Sequence, residues 1–196
     1  LQCQIGECYE RRDQMKEAIA CYDSAIECDE EWVEAWVGKA VAHDSLGQDV
    51  KAFECISRAY QLEPDNEDVG LLCAEQCAKQ GNPKRAVLIY QHILNRSSIC
   101  IEAWLDLTDV LMQSVGARDA LEVLEKGLAE NPEHTSLQYR KVAYIYLANK
   151  YTEALLLLRH LFQIKPAGIT ELMDYLPQIT LESEVSKMLH SSGNQT

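Results

Sequence analysis

The chain has few basic residues for its length of 196. Its 18 lysines and arginines stand against 31 aspartates and glutamates, which gives a net charge of −13 at pH 7. Non-specific nucleic-acid binding needs many cationic contacts to phosphates, so this balance argues against it. Long apolar runs are also lacking, since stretches such as Leu155 to Leu158 are far shorter than the roughly 18 residues of a membrane span. We therefore predict a soluble protein without nucleic-acid or membrane partners.

Motifs for enzyme chemistry and metal binding are missing as well. The sequence has no phosphate-binding loop, dinucleotide-binding glycine pattern, serine-hydrolase elbow or zinc-protease motif. Its eight cysteines include no Cys-x-x-Cys pair, which favours small buried thiols over a zinc site or disulfides. Reduced thiols in this number fit a cytoplasmic protein. We predict no catalytic residue, no cofactor, no metal and a cytoplasmic location.

Alanines recur along the sequence at a fixed interval of 34 residues, which we call the period. The alanines that recur at this interval are Ala18, Ala52, Ala86, Ala120 and Ala154. A large apolar residue follows each of them by four positions, and a smaller or aliphatic one comes three positions later, which is typical of one face of a helix. In three of the five units a proline stands further on, at an equivalent place, where it ends the helix.

A second amphipathic segment precedes each alanine, and breakers such as Gly47 and Gly116 separate the two segments. The pattern predicts no strand. A short segment at 169–175 and a more convincing amphipathic helix at 180–190 are predicted after the repeats, with a frayed end at 191–196. The predicted repeat helices lie near 1–12, 15–29, 33–46, 49–62, 67–80, 83–96, 101–114, 117–130, 135–148 and 151–164.

A unit of about 34 residues with Trp, a small residue, Tyr, Ala, an aromatic residue and Pro at these offsets resembles the tetratricopeptide repeat. Trp36 and Trp104 take the Trp position of that motif. Departures from it include Gln138 in place of Trp and His43 in place of a packing Tyr. We interpret His43 as a buried core residue and not as a general base.

The resemblance covers residues 1–166 and implies an all-α fold. It implies a right-handed superhelix of five helix-turn-helix repeats, and we expect a C-terminal capping helix that covers the last repeat. The expected units are 1–32, 33–66, 67–100, 101–134 and 135–166, followed by 167–196 as the cap and frayed tail.

In that family the first helix of each pair lines a concave surface. Mapped onto this chain, those positions carry more acidic than basic residues, so we predict an acidic groove with apolar side chains along it. The acids are Glu7, Glu10, Glu34, Asp44, Asp68, Glu75, Glu102, Asp106 and Asp109, and the bases are Arg11, Lys79 and Arg140. The residues predicted to contact a partner are Glu7, Glu34, Val37, Val41, Leu71, Glu75, Glu102, Leu105, Asp109 and Tyr139.

An acidic groove of this kind complements a basic or amphipathic segment of a partner. The sequence therefore predicts a non-catalytic adaptor or assembly scaffold that binds a protein or peptide. One alternative is an acidic face that only confers solubility. Another is a homodimer formed through the uncapped N-terminal edge around Ile5 and Tyr9. A third is a targeting arm of a longer enzyme, because the sequence begins at Leu1 inside a predicted helix.

Overall fold

The structure is a computed structural model that describes residues 2–183 and 185–187. Within these residues it has eleven α-helices, one 3-10 helix and no strand. The ten predicted repeat helices are confirmed, and so is the all-α fold. The helices are α1 (Gln2–Glu10), α2 (Met15–Cys28), α3 (Val33–Ser45), α4 (Asp49–Leu62), α5 (Glu67–Lys79), α6 (Pro83–Arg96), α7 (Ile101–Ser114), α8 (Ala117–Glu130), α9 (Thr135–Leu147), α10 (Tyr151–Ile164), α11 (Gly168–Tyr175) and the 3-10 helix Pro177–Leu181.

The chain divides into two compact units, Leu1–Ser97 and Ser98–Thr196. The first contains α1 to α6, and each of these helices packs against the next. In the second, α7 packs on α8, α8 on α9, and α9 on both α10 and α11. The first helices of successive pairs also touch, α1 with α3 and α7 with α9. The division into five repeats with the bounds given above stays a prediction.

The five alanines that recur with the period are core residues. All five side chains are fully buried. A methyl group is the smallest side chain that still favours a helix, so it lets two helix backbones approach closely without loss of helical propensity. The spacing found in the sequence therefore reflects repeated helix packing.

Two positions of the repeat, one on the first helix of a pair and one on the second, compensate each other in side-chain volume. In the fourth unit the ring of Trp104 covers Gly127, where an added methyl would lie 2.9 Å from the indole. In the third unit a methyl on Gly70 would lie 3.1 Å from Ile93 Cδ1. A large residue at one position thus goes with a small residue at the other, which keeps the interior filled.

The turns inside the helix pairs share a left-handed backbone conformation at the same place in the repeat. Asp13, Gly47, Gly81 and Asn149, which are spaced by one or two periods, have φ between 59° and 72°. Glycine adopts this conformation without strain, and Asn and Asp adopt it more readily than other side chains. In the remaining pair the helix runs one residue further, and the positive φ of 130° falls on Gly116.

The C-terminal cap contains the predicted short segment at 169–175, which is α11, together with residues that follow it. The main cover over the second unit's core comes from α11 and the 3-10 helix, which bury Ile169, Leu172, Leu176 and Ile179 against α9 and α10. In the predicted 180–190 helix, Val185 is fully buried in the same core, whereas Leu181 is 86% exposed. Of the predicted 180–190 helix, residue 183 and residues 185–187 are helical, and residues 184 and 188–190 lie outside the described residues, as does the tail at 191–196.

His43 is buried, as its position in the motif predicted. The residue is 6% exposed, and its Nδ1 atom lies 2.9 Å from Oε1 of Gln48. Burial lowers the pKa of His43 below its ordinary value of 6.5, and the positive charges of Lys51 and Lys39 act in the same direction. The folded chain therefore holds this imidazole in its neutral form.

Acidification is expected to destabilise the first unit through His43. The unfolded chain protonates this ring near pH 6.5, whereas the folded chain does so only at lower pH, so stability is complete above about 6.5 and falls as the pH drops towards the folded pKa. The urea midpoint of wild type should therefore fall more between about pH 7.5 and 5.5 than that of His43→Phe. Equal falls in the two proteins would contradict the assignment.

Candidate functional site

Most of the predicted groove residues in the first unit line one cleft. The cleft has a volume of about 330 Å³ and lies along α1 and α3, with the start of α5 at one side. Four residues predicted from the sequence line it, namely Glu7, Glu34, Val37 and Val41. The other lining residues are Glu10, Tyr22, Val33, Gly38, Glu63, Asn66, Asp68 and Val69.

The cleft is acidic around an apolar floor. Its carboxylates are Glu7, Glu10, Glu34, Glu63 and Asp68, and no lysine or arginine lines it in the part of the chain that the structure describes. Its apolar floor is made of four valines, contributed by α3 and α5.

Two of these carboxylates owe their positions to helix starts. Glu34 lies in the first turn of α3 and Asp68 in the first turn of α5. Negative charge is favourable beside the unpaired N–H groups of a helix N-terminus, so these side chains need no basic partner to be tolerated. The acidity of the cleft is therefore compatible with a stable fold.

Glu10 is the least exposed of the five carboxylates that line the cleft. Burial raises the pKa of Glu10 above its ordinary value, a hydrogen bond from Tyr22 opposes that shift, and the charge of Glu7 adds to it. Its Oε1 atom is buried and has no hydrogen-bond partner. Tyr22 is 1% exposed, and burial raises the pKa of its hydroxyl above the ordinary value. Protein contacts therefore leave part of the Glu10 carboxylate unsatisfied.

Glu75, also predicted as a groove residue, lies in a smaller cavity of about 160 Å³ with Val41 and Leu72. Its charge is largely offset, because Lys79 Nζ lies 3.1 Å from Glu75 and 3.2 Å from Asp44. A hydrogen bond from Gln76, 2.7 Å long, and the contact with Lys79 lower the pKa of Asp44, and burial opposes them. One lysine shared by two carboxylates leaves this part of the groove with one net negative charge.

Leu71 is partly buried, but neither of the cavities described above includes it. Its neighbour Leu72 lines the smaller one. The predicted apolar contact is thus displaced by one position along α5, which on a helix turns the side chain by about 100°.

In the second unit Asp109 is the centre of a partly buried polar network. Its carboxylate pairs with the guanidinium of Arg140 and accepts hydrogen bonds from Tyr144 at 2.6 Å and Tyr175 at 2.7 Å. The Arg140 guanidinium also lies 3.8 Å from the centre of the Tyr175 ring. We predicted Asp109 as a charge for a partner, but its oxygens already serve helices α9 and α11.

Contact with Asp109 contributes to raised pKa values of Arg140 and Tyr175. Burial alone would lower the pKa of Arg140, but the hydrogen bond and charge of Asp109 raise it above its ordinary value. Burial raises the pKa of Tyr175 to about 12, and the hydrogen bond to Asp109 contributes to the shift. Arg140 therefore stays charged and Tyr175 stays neutral at neutral pH.

Tyr139 is a core residue and no longer a candidate contact. Its side chain is 1% exposed, and its hydroxyl donates a 2.8 Å hydrogen bond to the carbonyl of Lys165. Gly168 at the start of α11 lies directly on the ring. Of the remaining predicted residues, Glu102 is exposed in the first turn of α7 and Leu105 is half-buried.

Sequence reasoning missed Tyr22 as a wall of the cleft and Glu63 as one of its charges. A signal for Tyr22 was present, because Gly6 and Gly38 lie equally far before and after it, and an added methyl at either would strike its ring. Glu63 follows α4 outside the mapped helix positions, so the motif could not indicate it.

The residues that the structure describes contain no group of three or more His, Cys, Asp and Glu placed to hold a metal ion. Among the same residues, no helix has the length and apolar character to cross a membrane. None of the described cysteines forms a disulfide, and Cys3, Cys55, Cys73, Cys77 and Cys100 are buried.

Comparison with known proteins agrees with the repeat pattern. The family model of the tetratricopeptide repeat matches residues 1–31. Over 83 residues the chain is 30% identical to a probable UDP-N-acetylglucosamine–peptide N-acetylglucosaminyltransferase, SPINDLY, of Arabidopsis thaliana. This match covers 42% of the chain and 9% of the length of that curated relative.

Solved structures share the fold at low sequence identity. YrrB, described as a tetratricopeptide protein with an unusual peptide-binding site, superposes with a TM-score of 0.66 at 19% identity, over 85% of this chain and 86% of that one. MamA from Desulfovibrio magneticus gives a TM-score of 0.72 at 13% identity, over 85% and 94%. PilF of Pseudomonas aeruginosa gives 0.64 at 17% identity, over 97% and 96%. The chain thus matches the tetratricopeptide repeat model in its first 31 residues and shares the all-helical fold of these solved structures.

Proposed function

We propose that the acidic cleft of the first unit binds a basic amphipathic segment of a partner protein. The observation that carries this proposal is the set of five carboxylates around a floor of valines, with no basic side chain among the described lining residues. Such a surface attracts lysine and arginine and places apolar side chains of the same segment on the floor.

The two parts of the cleft have different roles in this proposal. The valine floor supplies affinity, because burial of apolar surface is favourable and needs no exact charge geometry. The carboxylates select the sign of the partner and speed its approach, since exposed charges act mainly on encounter and are screened by salt. Glu10 adds a buried carboxylate oxygen that a lysine or arginine N–H group reaching the floor would satisfy.

The fold supports the coarser part of the proposal. Tetratricopeptide repeats are protein-interaction scaffolds, and the description of YrrB names a peptide-binding site in a protein of this fold. The match to part of an Arabidopsis glycosyltransferase keeps one alternative in view, in which the array directs a larger enzyme to its substrate. A dimer formed at Ile5, which is 37% exposed, also stays an alternative.

The proposal is tested by reversing two cleft charges with Glu7→Lys and Glu34→Lys together. We expect affinity for a labelled peptide of alternating lysine and leucine to fall about tenfold or more, because the new lysines repel the peptide. A tenfold fall corresponds to a loss of about 1.4 kcal/mol of binding free energy. The dependence of affinity on salt should also weaken. Fluorescence anisotropy at several salt concentrations measures both effects.

The matched control places the same charge change outside the cleft, with Glu27→Lys and Glu54→Lys on the exposed faces of α2 and α4. Peptide affinity of this control should stay within about twofold of wild type, because neither side chain lines the cleft and exposed charges are screened by salt. An equal loss in both variants, or equal binding of a peptide of alternating glutamate and leucine, would contradict the proposal.

A further inference from the structure

A second cavity lies outside the acidic cleft, within the second unit. It has a volume of about 540 Å³, inside the range of about 300–1,000 Å³ that is usual for ligand pockets. Leu128 of α8 and Leu157, Leu161 and Ile164 of α10 form its apolar walls, and Gln138 of α9 also lines it. We call it the Gln138 pocket.

The repeat explains why a cavity forms here. Gln138 stands one period after Trp104, and Pro132 stands one period after Ser98. Trp104 Nε1 donates a 2.9 Å hydrogen bond to the carbonyl of Ser98, and Gln138 Nε2 donates a 2.7 Å hydrogen bond to the carbonyl of Pro132. The amide therefore keeps the hydrogen bond of the indole but not its volume.

The fourth unit shows what fits such a site. There Trp104 is 8% exposed and its ring lies on Gly127. Leu161 takes the equivalent place of Gly127 in the fifth unit and fills part of the space, while the rest remains open between α8 and α10. In the fourth unit, the Trp104 indole thus occupies the site that corresponds to the Gln138 pocket of the fifth unit.

Gln138 also presents an unused acceptor. Its Oε1 atom is buried and has no hydrogen-bond partner, since only the amide nitrogen of this side chain is bonded. A buried acceptor without a donor is costly, typically by about 1–3 kcal/mol. A turn of the Gln138 side chain brings this oxygen into the pocket, where an indole N–H group is a donor of suitable shape for it.

The rim of the pocket carries Lys141, His160 and Lys165, with Glu133 as its acidic residue. Lys141 lies 3.1 Å from Glu125 and Lys165 lies 3.0 Å from Glu133, but these glutamate side chains are 61% and 90% exposed. The lysine side chains are 32% and 22% exposed, so each pair is partly open to solvent and a second carboxylate can compete for the lysine. The rim favours an acidic ligand, in contrast to the cleft of the first unit.

We propose that the Gln138 pocket binds a tryptophan side chain of a partner segment whose flanking residues are acidic. The indole ring packs on the leucines of α8 and α10, and its N–H group donates to Gln138 Oε1. The flanking carboxylates pair with Lys141 and Lys165. This site is independent of the acidic cleft and takes a partner segment of the opposite charge.

The probe for this proposal is an acetylated, dye-labelled pentapeptide with tryptophan between two acidic residues on either side. Its affinity is measured by fluorescence anisotropy against the whole chain. Leu157→Trp fills the pocket from its wall, and we expect it to weaken binding about tenfold or more. Leu156→Trp is the matched control, because Leu156 is 62% exposed on the same helix and does not line the pocket.

A second pair of variants tests the rim without changing the apolar walls. Lys141→Glu with Lys165→Glu should weaken binding at least as strongly as Leu157→Trp, whereas Lys150→Glu, which reverses an exposed charge outside the pocket, should leave it within about twofold. Replacement of the peptide's tryptophan by alanine, or of its acidic residues by lysine, should also abolish binding at this site.

Three results would overturn the proposal. One is no binding of the peptide up to about 1 mM, the concentration at which even a weak specific contact is populated. Another is an equal effect of Leu157→Trp and Leu156→Trp. The last is unchanged affinity when the peptide carries alanine in place of tryptophan.

Discussion

Asp109→Ala is expected to lower the free energy of unfolding by about 3–5 kcal/mol, since removal of one partner of a buried ion pair leaves the other charge unpaired. Arg140 has a side chain only 11% exposed and would lose its counterion. Tyr144 and Tyr175 would each lose the carboxylate that accepts from their hydroxyls. Urea unfolding followed by circular dichroism measures the change.

The conservative control for that substitution is Asp109→Asn. An amide of the same shape keeps an acceptor for the tyrosine hydroxyls but removes the charge opposite Arg140, so its cost should be smaller, about 1–3 kcal/mol. A loss below about 1 kcal/mol for Asp109→Ala would show that α9 and α11 are held by apolar packing alone. Because Asp109 holds α9 and α11 in place, a loss of partner binding by Asp109→Lys would reflect a loss of stability and not the loss of a partner contact.

Trp104→Gln is the second substitution with a large expected effect. It imitates the fifth unit by retaining an amide donor for the Ser98 carbonyl while the indole is lost, and we expect a loss of about 3–5 kcal/mol, as for other large-to-small core changes. Gly127→Leu alone is also expected to destabilise, by about 1–3 kcal/mol or more, because its side chain would strike the Trp104 ring.

The double variant Trp104→Gln with Gly127→Leu reproduces the pair Gln138 and Leu161 in the fourth unit. If the two positions exchange volume, the double variant should be more stable than the sum of the single losses predicts, with a coupling of about 0.5–3 kcal/mol. Urea unfolding of the four proteins gives this coupling directly. Additive losses would mean that the pairing of large with small residues in this chain has no energetic basis.

The repeat helices could be predicted from sequence because their signal is repeated. Each of the five alanines supports the same interval, and helix starts at residues 15, 49, 83, 117 and 151 follow it without deviation. The cleft of the first unit was partly predictable for the same reason. Glu7, Glu34, Val37 and Val41 occupy equivalent faces of α1 and α3, so a correct period placed them together.

The groove residues of the second unit were less predictable because α11, which lies after the repeats and does not follow the period, packs on them. Tyr139 and Asp109 follow the motif, but α11 covers the first and supplies Tyr175 to the second. A motif assigns a face of a helix and does not show which later segment packs on that face. Gln138 shows the converse case, in which a departure from the motif was visible but its consequence, an open cavity, depended on the neighbouring leucines.

The left-handed turn residues also limit how the array could vary in sequence. A left-handed backbone conformation, which is unfavourable for β-branched residues, is found at Asp13, Gly47, Gly81 and Asn149. Val115 stands at the equivalent place in the fourth pair, and there the strain-free glycine has moved one residue onward to Gly116 while α8 still begins on schedule. The residues allowed at this position are therefore those that tolerate a positive φ. A β-branched residue such as Val115 is allowed when the next residue is a glycine that takes the positive φ instead.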